Sequence, residues 1–215
     1  FLGFASTLVP FSYAIAGLLR RDYKSWINSA LIWSFFSVGI LGVGILMGGA
    51  WAYEALSFGG FWAWDPVENS SLVPWLILVA GAHLMIINKN KKKPTALFST
   101  IYLTLLAFLL VLYSTFLTKS GILGDTSVHS FVDSGILPQL LAYLLTFVLL
   151  AHTLLLGTTK RRLYHLASTL LVMSLMFVRE YALASLGFII LQTIAAIKSF
   201  SKEFASDDDD DALLS

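Results

Sequence analysis

The chain contains no cysteine. That excludes a disulfide scaffold, a thiol nucleophile, and a zinc or iron–sulfur site built on thiolates. Charge is scarce as well. Asp, Glu, Lys and Arg together make up 13% of the 215 residues, against about 25% in an average soluble domain. Hydrophobic residues reach 57% and the mean hydropathy is +0.79. A water-soluble globule is excluded on these figures, and so is disorder, except at the acidic C-terminus. The net charge of +1 carries little meaning as a sum, because the charges are clustered. No basic patch falls on a foldable soluble element, so nucleic-acid binding has no support. No cleavable signal peptide is visible: the first apolar segment is too long for an h-region and no basic flank precedes it. No internal repeat is evident. The start at Phe1 and the closing Ala212-Leu213-Leu214-Ser215 read as those of a piece of a longer protein.

Long apolar runs are what the chain does have. A helix needs about 20 apolar residues to cross the hydrocarbon core. Such runs cover 1–19, 26–48, 67–87, 95–117 and 137–157, with two shorter ones at 163–178 and 181–197. The first of the short runs, at roughly 1.5 Å per residue, reaches only ~24 Å. The expected fold is therefore all-α, a polytopic transmembrane bundle of five spans plus a two-helix hairpin. Three units follow: a core over 1–157, a helical hairpin over 158–198, and an acidic linker or tail over 199–215.

The basic residues set the expected orientation. Arg20, Arg21 and Lys24 lie between the first two spans. Lys89, Lys91, Lys92 and Lys93 follow the third, and Lys160, Arg161 and Arg162 follow the fifth. The alternate loops, 49–66 and 118–136, hold only Lys119. The basic loops are thus expected in the cytoplasm and the 49–69 and 118–136 loops outside. The run Asp207 to Asp211 then reads as a solvated cytoplasmic spacer.

Six of the fourteen residues from Trp51 to Trp64 are aromatic. Trp and Tyr commonly anchor helices at the membrane interface, but this density exceeds what anchoring needs. The pair Gly48-Gly49 leads into Trp51, and the pair Gly59-Gly60 leads into Trp62 and Trp64; such pairs permit sharp turns and close approach to a flat ligand. Such a shelf suits a large planar apolar molecule: a porphyrin, a quinone or a lipid head-group region. The following Asp65-Pro66-Val67-Glu68 has a plainer structural reading. Asp at the N-cap, Pro at the first helical position and Glu three residues on form a capping box that starts the third span.

Four histidines are candidates. His83 lies deep in the third span behind Ala80-Gly81-Ala82, where an ionisable residue is a functional candidate and a neutral imidazole can ligate iron. The alternative is a hydrogen bond to a neighbouring helix. Asp65 and His83 are 18 residues apart, about 27 Å of helix rise. One flat ligand therefore cannot touch both the shelf and His83. His129 sits in the second outer loop, as a ligand or as a plain surface residue. His152 offers a helix–helix hydrogen bond or a partner for His83, and His165 reads as solvated.

The stretch Trp51-Ala52-Tyr53-Glu54, then Gly59-Gly60-Phe61-Trp62-Ala63-Trp64-Asp65-Pro66-Val67-Glu68-Asn69-Ser70-Ser71-Leu72 and Pro74-Trp75-Leu76, resembles the tryptophan-rich WWD signature of the cytochrome c assembly family. Its Pro-Val-Glu-Asn continuation is closer to the CcmF/NrfE branch than to the CcsA branch. Thr115 to Leu123 and Ser127 to Phe131 resemble that branch's next outer loop. The resemblance covers roughly residues 1–157.

It implies a haem lyase component of cytochrome c biogenesis in a bacterial inner membrane. Such a component takes haem from a CcmE-type chaperone and works with a CcmH-type subunit that presents apocytochrome c. It joins the haem vinyls to the thiols of a Cys-x-x-Cys-His motif. By position, Trp51, Trp62, Trp64 and Asp65 would form the outer platform for a transient substrate haem. His129 matches the outer axial histidine and His83 the ligand of a resident intramembrane haem b. Phe61 stands where the family usually has Trp, which removes an indole N–H donor. Lys119 stands for a more usual Arg; it can pair with a haem propionate but lacks the bidentate fork. Two other classes compete: a membrane b-type cytochrome using His83 and His152, and a haem transporter. A structural subunit with Trp anchors alone is the plainest alternative.

Overall fold

The computed structural model describes residues 1–55, 60–89, 91, 94–127, 131, 135–155 and 194. These form six helices: α1 (Leu2–Ser6), α2 (Leu8–Arg20), α3 (Trp26–Ala55), α4 (Pro66–Lys89), α5 (Leu97–Lys119) and α6 (Leu137–Leu155). Leu2–Arg20 act together as one span, so five segments are long and apolar enough to cross a membrane. The expected five-span, all-helical membrane bundle is the fold of the described residues. The 163–178 and 181–197 segments and the acidic tail lie outside them, Ile194 excepted.

The chain divides into two compact units, Phe1–Leu144 and Leu145–Ser215. In the first, α4 packs most extensively against α5, then against α3, while α1 and α2 line α3. Its core is apolar: Phe11, Ala14, Ile27, Leu78, Met85, Ile101 and Leu105 are all buried. Phe11 of α2 meets Phe108 of α5 at 4.7 Å between ring centroids. Lipid-phase helices gain little from apolar burial alone, so close backbone approach and polar ties carry much of the packing. Gly3 shows the first: a Cβ there would stand 2.8 Å from the Cα of Leu41. Asn88 shows the second, fully buried and donating to Thr100 Oγ1 at 2.8 Å across the α4–α5 pair.

Trp75 locks α4 onto α3. Its indole N–H donates to Val38 O at 2.9 Å, and a Cβ on Gly42 would lie 2.9 Å from that same nitrogen. The indole cannot retreat without losing its bond. Gly42→Val therefore overpacks the seam, by about 1–3 kcal/mol, read as a lowered thermal unfolding midpoint in detergent.

Polar ties between the connecting segments sort the bundle into two ends. At the basic end, Lys24 Nζ donates to Lys91 O at 2.7 Å, joining the first and third connections. There Arg21 takes a left-handed φ of 55° after α2, and Asp22 caps the start of α3. Asp22 Oδ1 accepts from the Lys24 and Ser25 backbone N–H groups at 3.2 and 3.0 Å, and Oδ2 accepts from the Ser25 hydroxyl. The Ser25 hydroxyl, then the two N–H groups, hold the Asp22 carboxyl below its usual 3.8. The folded pKa is depressed, so the cap's contribution is full above that value and is lost as pH falls through the folded pKa.

Candidate functional site

At the opposite end stand the tryptophans. α3 has 30 residues, about 45 Å of helix against roughly 30 Å of hydrocarbon. Its last turns continue past the apolar run that ends at residue 48. Trp51 and Tyr53, expected in a loop from residue 49, are instead on this helical extension, 56% and 62% exposed. The stretch Gly49-Ala50-Trp51-Ala52-Tyr53, with Gly49 and Ala52 buried and both aromatic rings exposed, fails a hydropathy criterion, yet it holds no proline and stays helical.

The chain re-enters at Gly60 and makes a tight turn into α4. Trp64 sits at φ 57° and is 70% exposed. A left-handed tryptophan is uncommon and needs support from its surroundings. Asn69 supplies part of it, with Nδ2 donating to Trp64 O at 3.0 Å. Glu68 supplies the rest, accepting at Oε2 from the N–H groups of Ala63 (3.1 Å) and Asp65 (3.3 Å). Asp65 Oδ1 in turn accepts from the Val67 N–H at 2.8 Å. This is the capping box expected from the sequence, extended by one extra donor at Ala63. It fixes the Trp62 and Trp64 rings edge-to-face, centroids 6.4 Å apart at 85°.

Asp65 has a second task that the sequence did not reveal. Its Oδ1 also accepts from the Ser127 hydroxyl at 2.7 Å. Ser127 is buried and belongs to the 118–136 connection. That connection is pinned again at Phe131, whose N–H donates to Thr118 O at 3.1 Å. Lys119 closes α5 with its ammonium 3.1 Å from the Phe131 ring centroid, a cation–π contact. The tryptophan turn and the 118–136 connection are thus tied together at one end of the bundle. The ties flank both sides of position 129. His129 itself lies outside the described residues. Ser127 was legible only as a neighbour of His129, two positions before it.

Beneath the turn lies a cavity of about 350 Å³ between α1, α3, α4 and α5. Trp51, Trp62 and Glu68 border it, with Phe4, Gly44 and Gly48 deeper. Two buried polar atoms here have no hydrogen-bond partner among the described residues, Trp62 Nε1 and Glu68 Oε1. The cavity was not foreseen, because Glu68 reads completely as a helix cap.

His83 is apart from all of this, in the middle of α4. It is exposed, on the seam Val73, Leu76, Ala80, His83 and Ile87, all exposed at helical spacing. Its Nδ1 lies 2.7 Å from Val79 O. The tautomer that donates there leaves the Nε2 lone pair directed off the helix. His152 is buried on α6, and His165 lies outside the described residues. No group of three or more His, Asp or Glu side chains suited to a metal ion occurs among the described residues.

The family described as cytochrome C assembly protein matches residues 1–124, which take in α1–α5 and the tryptophan turn but stop short of His129. The cytochrome c-type biogenesis protein CcmF of Pseudomonas aeruginosa is 39% identical over 152 residues, 70% of this chain and 22% of that protein. CcmF of Escherichia coli is 36% identical, covering 70% and 22%, and NrfE of Haemophilus influenzae is 36% identical, covering 61% and 20%. A solved structure of the cytochrome c heme lyase CcmF aligns at a TM-score of 0.59 and 26% identity, over 93% of this chain and 33% of that one. The chain spans about a fifth of the length of the curated relatives it matches, 22% for the CcmF proteins. With more than half of its residues matched and the signature turn built as its sequence requires, this multi-pass membrane chain belongs to the cytochrome c assembly family.

Proposed function

We propose that the chain is the haem-handling core of a cytochrome c haem lyase, acting in cytochrome c biogenesis in a bacterial inner membrane. The tryptophan end faces the periplasm and the basic end the cytoplasm, as the clustering of Lys and Arg favours. The observation that carries this reading is the Asp65–Ser127 hydrogen bond, which joins the tryptophan turn to the segment bearing His129. Two peptide links, at about 3.8 Å each, separate His129 from Ser127. On this reading, that short link lets the histidine serve the same ligand as the exposed Trp64 and its partner Trp62.

A transient substrate haem fits this end of the bundle. Trp51 and Trp64 offer exposed indole faces for stacking, and His129 supplies an axial nitrogen that fixes orientation. Lys119 offers a cation for a propionate, in exchange for its contact with Phe131. Haem and the two thiols of a Cys-x-x-Cys-His motif supply the bond-forming chemistry. The chain's part is positioning: Glu68 and Asp65 hold the turn, the turn holds the rings, and the rings hold one porphyrin face. Having no cysteine, the chain offers no competing thiol. Its partners on this reading are a CcmE-type haem chaperone, a CcmH-type subunit and apocytochrome c.

His83 suits a resident haem b. Its available Nε2 faces away from the bundle interior, on an apolar seam, where an intramembrane polar side chain calls for a ligand or a partner. Most of the length of the relatives lies outside this chain, and the opposite axial ligand is placed there.

The test is maturation of a c-type reporter in cells that depend on the full-length protein. A Trp62→Ala, Trp64→Ala double variant removes both rings from the turn. Stacking contacts of about 1–3 kcal/mol for the two rings correspond to a fall of about fivefold or more in holocytochrome. Undiminished maturation at equal membrane abundance would remove the platform.

A further inference from the structure

The cavity beneath the tryptophan turn has a chemistry of its own. Its deeper wall is apolar and small, with Phe4 of α1 facing Leu41, Gly44, Ile45 and Gly48 of α3. A Cβ on Gly44 or Gly48 would meet nothing within 4 Å, so the space beside α3 is open. Its upper rim is polar, and the polarity is lopsided. The Ser71 and Thr118 hydroxyls already donate to the carbonyls of Glu68 (2.8 Å) and Ser114 (2.8 Å), leaving their oxygens as acceptors. Among the described residues, Glu68 adds a carboxylate oxygen with no hydrogen-bond partner, and Trp62 adds a single donor with none. Buried polar groups are normally paired, so this rim calls for a ligand that gives several N–H donors and accepts one.

We propose that this cavity is a binding site for an ammonium-headed phospholipid of the phosphatidylethanolamine class. The primary ammonium donates to Glu68 Oε1 and the neighbouring hydroxyl oxygens. A phosphate oxygen accepts from the Trp62 indole. The glycerol and the start of one acyl chain lie in the groove beside Gly44 and Gly48. The size agrees: at about 30 Å³ for each water-sized group, the cavity takes roughly a dozen such groups. Its level agrees too, since Trp and Tyr rings mark the head-group depth of a bilayer. A porphyrin propionate is a poor occupant, because it would bring a second anion to Glu68. The lipid therefore sits under the platform, filling the space behind Trp62 and bracing its ring. Occupancy depends only on the geometry of the cavity, and stands whether or not haem binds above it.

Native mass spectrometry of the full-length protein in detergent, with added dioleoyl phosphatidylethanolamine, phosphatidylcholine or phosphatidylglycerol, tests the proposal. Phosphatidylcholine has no N–H donor and phosphatidylglycerol no cation. The ethanolamine lipid should bind at least about tenfold more tightly than either, some 1.4 kcal/mol. Glu68→Gln keeps the capping box while replacing the carboxylate with an amide, and should erase the preference. Gly48→Leu points a side chain into open space, so the fold is retained while the groove fills, and binding of the ethanolamine lipid should fall. O-Phosphoethanolamine, the soluble head group alone, should not compete at lipid concentrations. Equal binding of the three lipids, an intact preference in Glu68→Gln, unchanged binding in Gly48→Leu, or full competition by the free head group would each overturn the lipid assignment. Haem content read on the same samples keeps this result separate from the haem reading.

Discussion

Asp65→Ala should lower cytochrome c maturation about a hundredfold while leaving the full-length protein in the membrane at normal abundance. The carboxylate does two things at once. It caps α4 through the Val67 N–H at 2.8 Å, and it holds the 118–136 connection through the Ser127 hydroxyl at 2.7 Å. Loss of an N-cap costs about 0.5–2 kcal/mol, and loss of a hydrogen bond to a charged group about 1.5–3 kcal/mol. Together they amount to ~3 kcal/mol of local order, or roughly two decades in the population of the joined arrangement. α4 as a whole survives, because its 24 residues are held by α3 and α5 along their length. Asp65→Asn is the informative companion. Asn is an equally good N-cap and still presents an oxygen to Ser127, so it should retain maturation within about fivefold. Ser127→Ala breaks one tie and keeps the cap, and should fall between the two. A peroxidase stain of the reporter, normalised to membrane protein, reads all three. Wild-type maturation in Asp65→Ala would mean that the two connections work independently.

The sequence carried this arrangement unevenly, for physical reasons. The five spans were legible because a bilayer demands one property over a fixed length, and apolar runs near 20 residues record it directly. The ends were less so. α3 runs on to Ala55 because helix continuation depends on backbone propensity and not on hydropathy, and Trp51 and Tyr53 went with it. The capping box at Asp65–Glu68 was legible because every atom in it lies within six residues, and local hydrogen bonding follows spacing. Ser127 to Asp65 spans 62 residues, with no periodicity to announce it. Glu68 was only half legible: the oxygen that caps the helix follows from the motif, and the oxygen that faces the cavity follows from how α1, α3 and α5 close around it. The histidine deep in the third span was conspicuous, but the face on which His83 lies emerged only from the packing of α3 and α5 on the rest of α4. Had His83 pointed inward, toward Leu78 and Met85, a helix–helix hydrogen bond would have been the simpler account.

That outward direction makes His83→Ala the second decisive variant. The expected result is loss of one b-type haem equivalent from the purified full-length protein, seen in the reduced pyridine haemochrome spectrum, with no change in thermal stability beyond that of haem loss. Stability is spared for two reasons. His83 is exposed on α4 and packs no core, and alanine is the best helix former, so the backbone gains slightly. The Val79 carbonyl loses its contact with Nδ1 at 2.7 Å but keeps its helical partner. What disappears is the Nε2 lone pair at mid-membrane depth. His83→Gly should lose the haem in the same way and recover it in millimolar imidazole, because the exposed seam leaves a small ligand free access. Retention of the full spectrum in His83→Ala would move the resident haem to other ligands, with His152 the first to replace. It would also remove the b-type cytochrome alternative, which uses His83 of α4 together with His152. Loss of the spectrum together with loss of the folded protein would instead mean that His83 carries packing its exposed position does not supply. The alanine and glycine variants therefore separate ligation from packing at a single position.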